Sequence, residues 1–399
     1  KNLATGRVIA TLEAAKRASG LYCVDEATEI LALSGWREHF QVKEGDRVFA
    51  WRDGKLMAER LEAVHRFVGP AELMEWKSGS LSMAVTPEHR CLVRRRRTTR
   101  YGRKAGPTYF ADARFVRAQE LQSNDYIVRT GTVARGRPVL SDDLVRLCAW
   151  ICAEGHYRPE GSIVLTQSEK ANAAYVVELD ALVGRLRGRR RKARDGMRAW
   201  WIGGDVAALV QLLMPEKVPS HELWCRLSVH QARLFMYEMA RGDGNWAHLP
   251  DRPLPPPPRR FYRSLSNFFF GSTVRIWQSR KETREALQII ATLGGLPARA
   301  SAQDTYGRFG LSLSAHRHTS CVNRMVRSRA TVPMVWCPQV PSGAWVARRH
   351  GTVFVTGNSH PVDALAYALA VLFPAHELVR RPRPAPRVAV AGPKTWLGG

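Results

Sequence analysis

The chain has 399 residues, of which 61 are Lys or Arg and 35 are Asp or Glu, so its formal net charge at pH 7 is +26. The length predicts two or three domains with sizeable cores, and the charge favours an acidic polymer, above all nucleic acid, as partner. No apolar run reaches the ~18 residues of a membrane span, and the 7 scattered cysteines include no Cys-x-x-Cys pair. We therefore expect no membrane association, no zinc ribbon and no disulfide framework, and a cytoplasmic location.

The first part of the chain predicts one helix followed by short strands. It begins with neither Met nor a signal peptide, so we expect a fragment of a longer protein. Apolar residues at helical spacing predict a helix within 1–22. From Cys23 onward, strand-like runs at 28–33, 47–51, 81–85 and 91–93 alternate with turns such as Asp53-Gly54. This pattern predicts a compact all-β unit that ends near residue 136.

The middle of the chain predicts a mixed α/β region. Ser141 is a helix cap before 144–153, and further helices are predicted at 230–240 and 280–293. Strands are predicted at 162–166 and 199–202, and the proline run 253–258 is a connector. Strands return at 332–336, 344–347 and 352–356, followed by a helix at 362–373 and a disordered tail. A β pattern at both ends thus encloses an α/β insert.

The segment Thr356-Gly357-Asn358-Ser359 contains an Asn that could cleave the peptide bond after it. An Asn side-chain amide can attack its own backbone carbonyl and cleave the peptide bond that follows. We expect Gly357 to supply a positive φ for that geometry, and Ser359 follows with a nucleophilic hydroxyl. By itself Gly-Asn-Ser is an ordinary turn sequence. Its interpretation depends on the markers elsewhere in the chain.

Those markers occur in one order along the chain: Cys23 at a strand start, Gly45-Asp46-x-Val48, Thr86-x-x-His89, Val335-Trp336-Cys337 and the closing Gly357-Asn358-Ser359. Together they resemble an intein with an inserted LAGLIDADG homing endonuclease, over residues 23–358. The resemblance implies an all-β, horseshoe-like Hint splicing domain formed by 23–137 and 329–358. It places the α/β endonuclease at 138–328, between extein fragments 1–22 and 359–399.

The resemblance also implies roles in splicing. Cys23 would attack the Tyr22 carbonyl to form a thioester, because even a small thiolate fraction is strongly nucleophilic. Thr86 and His89 would polarise the scissile amide, with His89 as the general acid. Ser359 would then take the acyl group and Asn358 would cyclise. No cofactor is required for these steps.

Three positions depart from the common intein pattern. Gly357 stands where a His usually precedes the terminal Asn, and Gly343 or Ala344 stands near a second missing His; His350 or His360 is a hypothetical substitute. Cys337 stands where many inteins have Asp. With Thr356 it resembles a variant in which such a Cys is a branching nucleophile. Its role as a tuning or redox-sensitive residue, or as plain packing, stays open.

The segments 144–155 and 234–244 resemble the two LAGLIDADG helices of a single-chain, monomeric endonuclease. Small residues along them allow the helices to cross closely, which would bring Glu154 and Asp243 together. Two carboxylates beside two helix C-termini favour a cation, and Mg²⁺ is the natural choice. Lys217 matches the basic residue that the family places near the scissile phosphate. We expect metal-assisted hydrolysis of double-stranded DNA.

Clusters of basic residues are expected to contact DNA phosphates without reading sequence. They are Arg94, Arg95, Arg96, Arg97, Arg185, Arg187, Arg189, Arg190, Arg191, Lys192 and Arg194. The adjacent Trp200 and Trp201 are expected in a strand core. Base readout is expected on the exposed strand faces of the insert.

The flanking residues indicate the host of the splicing element. Ser359 to Tyr367 is similar to the end of a phage terminase large-subunit nuclease domain, in which Asp363 would bind a catalytic metal. An amphipathic helix with one exposed Asp is the simpler alternative. Two other functions stay open: a free-standing LAGLIDADG endonuclease, and a Hint autoprocessing domain that cleaves without ligation. The expected location is the cytoplasm of a bacterium or of a phage-infected cell.

Overall fold

A computed structural model describes residues 22–101, 104–134, 138–170, 172–191, 195–246, 273–314 and 319–357. They belong to one compact unit, Leu21–His360. Several predictions fall outside the described residues. These are the helices within 1–22 and at 362–373, the connector 253–258, the tail, and Lys192, Arg194, Asn358, Ser359, His360 and Asp363.

The N-terminal part consists of strands and two short 3-10 turns, His39–Gln41 and Ala118–Glu120. Its strands are β1 Val24–Asp25, β2 Thr28–Ala32, β3 Gly35–Arg37, β4 Arg47–Arg52, β5 Lys55–Arg60, β6 Ala63–Lys77, β7 Ser82–Val85, β8 Arg90–Tyr101, β9 Lys104–Phe110, β10 Arg114–Arg117, β11 Asp125–Val128 and β12 Thr132–Val133. The predicted turn between β4 and β5 is present, since Asp53 and Gly54 both have positive φ, 50° and 81°.

The central part is mixed α/β. Its helices are α1 Asp142–Glu154, α2 Ala173–Arg185, α3 Gly204–Leu213, α4 His221–Trp224, α5 Val229–Asp243 and α6 Lys281–Leu293. Its strands are β13 Gly155–Tyr157, β14 Ile163–Ser168, β15 Arg189–Arg191, β16 Met197–Ile202, β17 Gly244–Trp246, β18 Thr273–Gln278, β19 Ala298–Gln303 and β20 Phe309–Ser314. Helices α2 and α3 were not predicted. Ser141 caps α1 as predicted, because its hydroxyl accepts from the Leu144 N–H.

The C-terminal part returns to strands: β21 Thr319–Cys321, β22 Val326–Gln339, β23 Ala344–Arg349 and β24 Thr352–Gly357. These strands pair with strands from the start of the chain. β1 is antiparallel to β22, with Val24 opposite Trp336; β2 pairs with β23, and β8 pairs with β24. The two ends of the described chain therefore build one β structure.

Helices α1 and α5 cross closely at their C-terminal ends, as predicted. A Cβ on Gly242 would lie 2.7 Å from the Ala153 Cβ, so glycine is required by the approach of the other helix. Helix α5 continues past this glycine to Asp243, which is further than the predicted end. Among the described residues no helix is long and apolar enough to cross a membrane.

The central part contains an internal repeat. The first half orders its strands β13-β14-β16-β15, and the second half pairs β17 with β18, β18 with β20 and β20 with β19. The register also matches, because Gly155 lies opposite Leu165 and Gly244 lies opposite Ile276. In each half a helix, α1 or α5, is followed directly by a short strand, β13 or β17, at the same position of the repeat.

The C-terminal strands and the second half of the α/β part are joined by hydrogen bonds and by a common hydrophobic cluster. β19 pairs with β24, and the Gly351 carbonyl accepts from Ala300 N at 2.9 Å and from Gln288 Nε2 at 2.8 Å. One hydrophobic cluster includes Leu31 and Trp36 together with residues of the central helices. The whole is mixed α/β with large sheets, and the predicted all-β Hint arrangement is not confirmed as a separate unit.

Arg348 provides a test of this shared structure. The buried guanidinium donates to Glu29 at 2.6 Å and to Gln288 Oε1 at 3.2 Å, and it lies 4.7 Å from the Trp36 ring. Arg348→Met should lower the free energy of unfolding by about 2–4 kcal/mol, since partly buried carboxylates lose their partner. Urea denaturation measures this loss.

The matched control is Arg52→Met, because Arg52 is 53% exposed and its nearest contact to Glu59 is 3.6 Å. That change should cost less than about 1 kcal/mol. Equal losses in the two variants would show that Arg348 does not hold the two parts together.

Candidate functional sites

The backbone at Cys23 is held by Thr86. Cys23 N donates to Thr86 Oγ1 at 3.0 Å, and Thr86 N donates to the Cys23 carbonyl at 3.0 Å. This follows from the pairing of β1 with β7, in which Val24 lies opposite Val85. The nitrogen of the Tyr22–Cys23 peptide bond is therefore fixed against a hydroxyl group.

His89 lies at the end of a tight turn, since its N–H donates to the Thr86 carbonyl at 3.0 Å. The ring is buried and its Nε2 lies 2.5 Å from Thr356 Oγ1. Among the described residues Nδ1 has no partner that satisfies the usual hydrogen-bond distance and angle. The Tyr22 backbone nevertheless lies close enough to the ring to affect its pKa. The side chain thus touches both junction segments.

Burial lowers the pKa of His89 to about 4, while the Tyr22 backbone raises it and Arg90 lowers it further. The ring is therefore neutral at pH 7. Its pKa is therefore not the ordinary value expected for a general acid, while the role itself stays a prediction. A neutral imidazole has to accept a proton before it can deliver one.

Cys337 lies opposite Cys23. The register places Val24 opposite Trp336 and Asp25 opposite Val335, so the next step along the ladder pairs the two cysteines, and their side chains are hydrogen-bonded. Burial, followed by the Cys337 contact, raises the pKa of Cys23 well above its usual range. The expectation of a small thiolate fraction at neutral pH is wrong, because the resting thiol keeps its proton.

Gly357 ends β24 and its φ is not positive, so the predicted reason for this glycine is wrong. A Cβ at Gly357 would lie 2.6 Å from the Arg90 carbonyl oxygen and 3.1 Å from the Phe115 ring. The close approach of β8 requires glycine here. The same approach leaves no room for the His that inteins commonly carry at this position.

Trp345 contacts the C-terminal junction and was missed by the sequence analysis. Its Nε1 donates to the Gly357 carbonyl at 3.2 Å, and the indole is fully buried. Ala344 pairs directly with Gly357 across β23 and β24, so this is where a second His was expected and is absent. The donor beside the junction carbonyl is the indole.

His350 does not replace the missing histidines. It follows Arg349, which pairs with Thr352 at the far end of the hairpin, roughly 17 Å along β24 from Gly357 at ~3.3 Å per residue. Its Nδ1 lies 3.3 Å from Ser82 Oγ. The hypothesis that His350 assists Asn358 is therefore wrong.

Glu154 and Asp243 meet where α1 and α5 end. Burial and then Asp243 raise the pKa of Glu154, whereas a hydrogen bond from Gln167 lowers it. Burial raises the pKa of Asp243, and Gln278 and Lys217 oppose that shift. Gln278 Nε2 donates to Asp243 Oδ2 at 2.8 Å.

The two glutamines are equivalent positions of the internal repeat. Gln167 lies two residues after Leu165, and Gln278 lies two residues after Ile276, which are the partners of Gly155 and Gly244. Each half therefore supplies one carboxylate and one amide. The spacing of the pairs was not apparent in the sequence because the second half contains a long insertion before β18.

Lys217 lies beside this carboxylate pair, since its charge lowers the pKa of both Glu154 and Asp243. It belongs to the 3-10 turn Pro215–Lys217. Glu216 and Lys217 have positive φ values of 51° and 67°. Such backbone conformations cost ~1–3 kcal/mol each and cluster at functional sites.

The carboxylate pair fits a hard divalent cation. Oxygen ligands with raised pKa values gain from a positive charge, and Mg²⁺ prefers carboxylates from few side chains together with substrate phosphates. Among the described residues no group of three or more His, Cys, Asp or Glu side chains could hold a metal ion. The protein ligands of the metal ion would thus be Glu154 and Asp243.

Several arginines predicted to contact DNA phosphates are engaged within the protein. Arg95 donates to Asp125 at 2.8 and 3.0 Å, and Arg185 donates to Asp143 at 2.7 and 2.8 Å. Arg190 lies 3.7 Å from Asp180, and Arg94 Nε donates to the Ala111 carbonyl. These four arginines have a partner within the free protein, and their contact with DNA phosphates stays a prediction.

Other predicted arginines are exposed. Arg96 and Arg97 point from β8, and Arg187 lies in the loop before β15. Arg189 and Arg191 pair with Trp201 and Ala199, which places them on the sheet face away from the helices. Trp200 is buried as predicted, but Trp201 is only half-buried on that open face.

Glu238 forms a buried ion cluster that the sequence analysis missed. It accepts from Arg146 at 2.6 Å, from Trp150 Nε1 at 2.9 Å and from Arg241 at 2.8 Å. Arg146 and Arg241 also reach Glu178 on α2. The cluster joins α1, α5 and α2 and supports the helix crossing that brings the two acids together.

Comparison with known proteins gives a limited result. No protein-family model matches the chain, and no curated protein matches it. Solved structures of LAGLIDADG proteins are similar to part of it. I-DmoI in complex with DNA and Mn has 10% identity and a TM-score of 0.31, over 44% of this chain and 92% of that chain.

Two further structures are similar over 45% of this chain and 80% of their own. The N-terminal LAGLIDADG domain of DUF199/WhiA has 11% identity and a TM-score of 0.27. A single-site mutant of I-SmaMI has 12% identity and a TM-score of 0.23. Similarity at this level establishes no function, and the proposals below rest on contacts within the chain.

The His89 pKa predicts an acid-sensitive fold. The unfolded chain binds a proton at His89 below its usual pKa of 6.5, but the folded chain does so only below about 4. The free energy of unfolding should therefore fall by about 3 kcal/mol as pH drops from 6.5 to 4. Urea titrations at several pH values measure the slope.

His89→Gln should remove most of that slope, because an amide does not titrate. His221→Gln is the control, since its side chain is 59% exposed, and it should leave the slope unchanged. An unchanged slope in His89→Gln would contradict the assignment.

Proposed function

We propose that the chain is a self-splicing intein that carries a DNA endonuclease. The observation that carries the proposal is His89, whose ring contacts the Tyr22 backbone and the Thr356 hydroxyl. Tyr22 precedes the first junction and Thr356 lies two residues before Asn358. One buried group thus serves both ends of the excised segment.

The first step is an N-to-S acyl shift. The Cys23 sulfur bonds to the Tyr22 carbonyl carbon, and the bond from that carbon to the Cys23 nitrogen breaks. Neutral His89 would accept the thiol proton and return it to the departing nitrogen, and the lowered pKa favours the return of the proton rather than its acceptance. Thr86 Oγ1, 3.0 Å from that nitrogen, orients the amide.

The later steps involve the second junction. The Ser359 hydroxyl takes the acyl group and frees the Cys23 thiol, after which the Asn358 side-chain nitrogen attacks its own carbonyl and releases the Ser359 amine. That amine converts the ester into a Tyr22–Ser359 peptide bond. Trp345 steadies the Gly357 carbonyl, and each step gains from intramolecular positioning, worth ~7–11 kcal/mol.

Three alternatives are less well supported. A free-standing endonuclease has no use for the Thr86 and His89 contacts around the Tyr22–Cys23 bond. An autoprocessing domain that only cleaves has no use for Asn358 followed by Ser359. Cys337 as a branching nucleophile is also less economical, because Cys23 is itself present at the junction.

The second activity is hydrolysis of phosphodiester bonds in double-stranded DNA. Glu154 and Asp243 would hold a Mg²⁺ ion, which would supply Lewis-acid polarisation of the phosphate. Lys217 beside the pair would hold the negative phosphate in place, and Gln167 and Gln278 orient the carboxylates. Exposed Arg189 and Arg191 would contact the DNA backbone.

The remaining assignments extend this proposal. A single chain with two helix ends completes the carboxylate pair, so we propose a monomer with a long DNA target. The excised segment is 23–358, with the endonuclease at 138–328. The flanks belong to a terminase-like host in which Asp363 binds metal, in a bacterial or phage-infected cytoplasm.

Mass analysis of the purified chain tests splicing. Incubation at neutral pH under reducing conditions should yield residues 23–358 and a product in which 1–22 is joined to 359–399. Cys23→Ala should abolish the joined product, because no thioester forms. Cys321→Ser, at a half-exposed thiol outside the site, should splice like the parent.

An intact chain after long incubation contradicts splicing. Unjoined fragments favour the autoprocessing alternative instead.

DNA cleavage tests the carboxylate pair. The substrate is a duplex that encodes residues 1–22 joined directly to 359–399, with Mg²⁺. Glu154→Gln and Asp243→Asn should each lower the cleavage rate by roughly 1,000-fold or more, because metal ligation is lost. Glu282→Gln is the control, since its side chain is 64% exposed, and it should cut at the parental rate.

Parental cleavage by both acid variants would rule out this site. Loss of cleavage in Glu282→Gln as well would indicate a general effect of the substitutions.

A further inference from the structure

Cys23 and Cys337 are placed for a covalent bond. Continuation of the β1–β22 register puts them directly opposite each other, and their side chains are in hydrogen-bond contact. Opposed residues of an antiparallel pair have Cα atoms ~4.5 or ~5.5 Å apart, and disulfides span ~4.4–6.8 Å. A bond between the sulfurs therefore needs little movement of the backbone.

The surroundings favour this pair over other thiols of the chain. Leu73, Ala84 and Val335 enclose the two cysteines in a small apolar cluster. Cys148 and Cys152 lie one turn apart on α1, where helical geometry holds the side chains parallel. Cys91 is buried opposite Thr356 rather than opposite another cysteine.

The residues that separate the two cysteines from solvent are themselves only partly buried. Phe67, Ala71 and Val332 pack against the cluster and are only partly buried. The β6–β22 ladder shifts register between Val332 and Met334, next to these residues. A local opening of the two strands would expose the thiols to a small oxidant and to water, in which the thiolate needed for disulfide exchange can form.

We propose that Cys23 and Cys337 form a reversible disulfide that prevents the first acyl shift. This inference rests on the proposed splicing function. A low-mass disulfide is the oxidant: a new bond joins the two protein sulfurs, the sulfur–sulfur bond of the oxidant breaks, and its two halves leave as thiols with the two protons. A sulfur bonded to Cys337 cannot attack Tyr22, so the chain stays whole until it is reduced.

The test uses the full chain with Asn358→Ala, which stops excision but keeps the first acyl shift. The chain is incubated with oxidised glutathione and its free thiols are alkylated. Peptide masses are then measured, and a second sample receives hydroxylamine, which cleaves a thioester without reducing a disulfide. Cys23 and Cys337 peptides should be joined, with two hydrogens lost, and cleavage after Tyr22 should be lost.

A phosphine reductant should restore hydroxylamine cleavage in the same sample. Cys337→Ser in this background should show no joined peptide and should cleave equally before and after oxidation. Cys321→Ser should behave like the parent, and thermal unfolding of each variant checks that it is folded. Cys337→Ala is the second variant if the serine destabilises the cluster.

The absence of a Cys23–Cys337 peptide after oxidation overturns the proposal. So does oxidant sensitivity that persists in both Cys337 variants. The peptides could join while the reduced chain shows no hydroxylamine cleavage. That result would contradict the splicing function and, with it, the redox control of splicing. The disulfide itself would still be established.

Discussion

The contact between His89 and Thr356 is the interaction on which the proposed splicing site depends. It joins a turn near the start of the chain to the last strand before Asn358, and it exists only because β8 and β24 pair. The same pairing buries the ring and keeps it neutral at pH 7. Position and protonation state of the side chain therefore have one common cause.

The α/β part and the C-terminal end of the described chain are connected through β24. β24 begins at Thr352, opposite Arg299 of the α/β part, and ends at Gly357 beside Trp345. One strand thus runs from the shared sheet to the junction. The α/β part is therefore joined through this strand to the residue before Asn358 and is not structurally separate from the β part.

Features set by neighbouring residues could be predicted from the sequence, whereas features that depend on distant partners could not. The cap at Ser141 and the Asp53-Gly54 turn follow from short-range rules. Helix α2 carried such a signal too, because its buried residues recur at helical spacing, but it was missed. The need for Gly357 comes from the approach of Arg90, and the neutral state of His89 requires burial by both ends of the chain. Both are properties of tertiary packing, which no local pattern encodes.

The two halves of the α/β part differ at their outer edges. In the second half the outer edge of β19 pairs with β24. In the first half β15 is the edge strand of the four-stranded sheet formed by the described residues. This edge consists of Arg189, Arg190 and Arg191. An open sheet edge invites another chain to add a strand, and like charges repel such an approach. Three consecutive arginines on this edge therefore disfavour the addition of a second strand with the same charges.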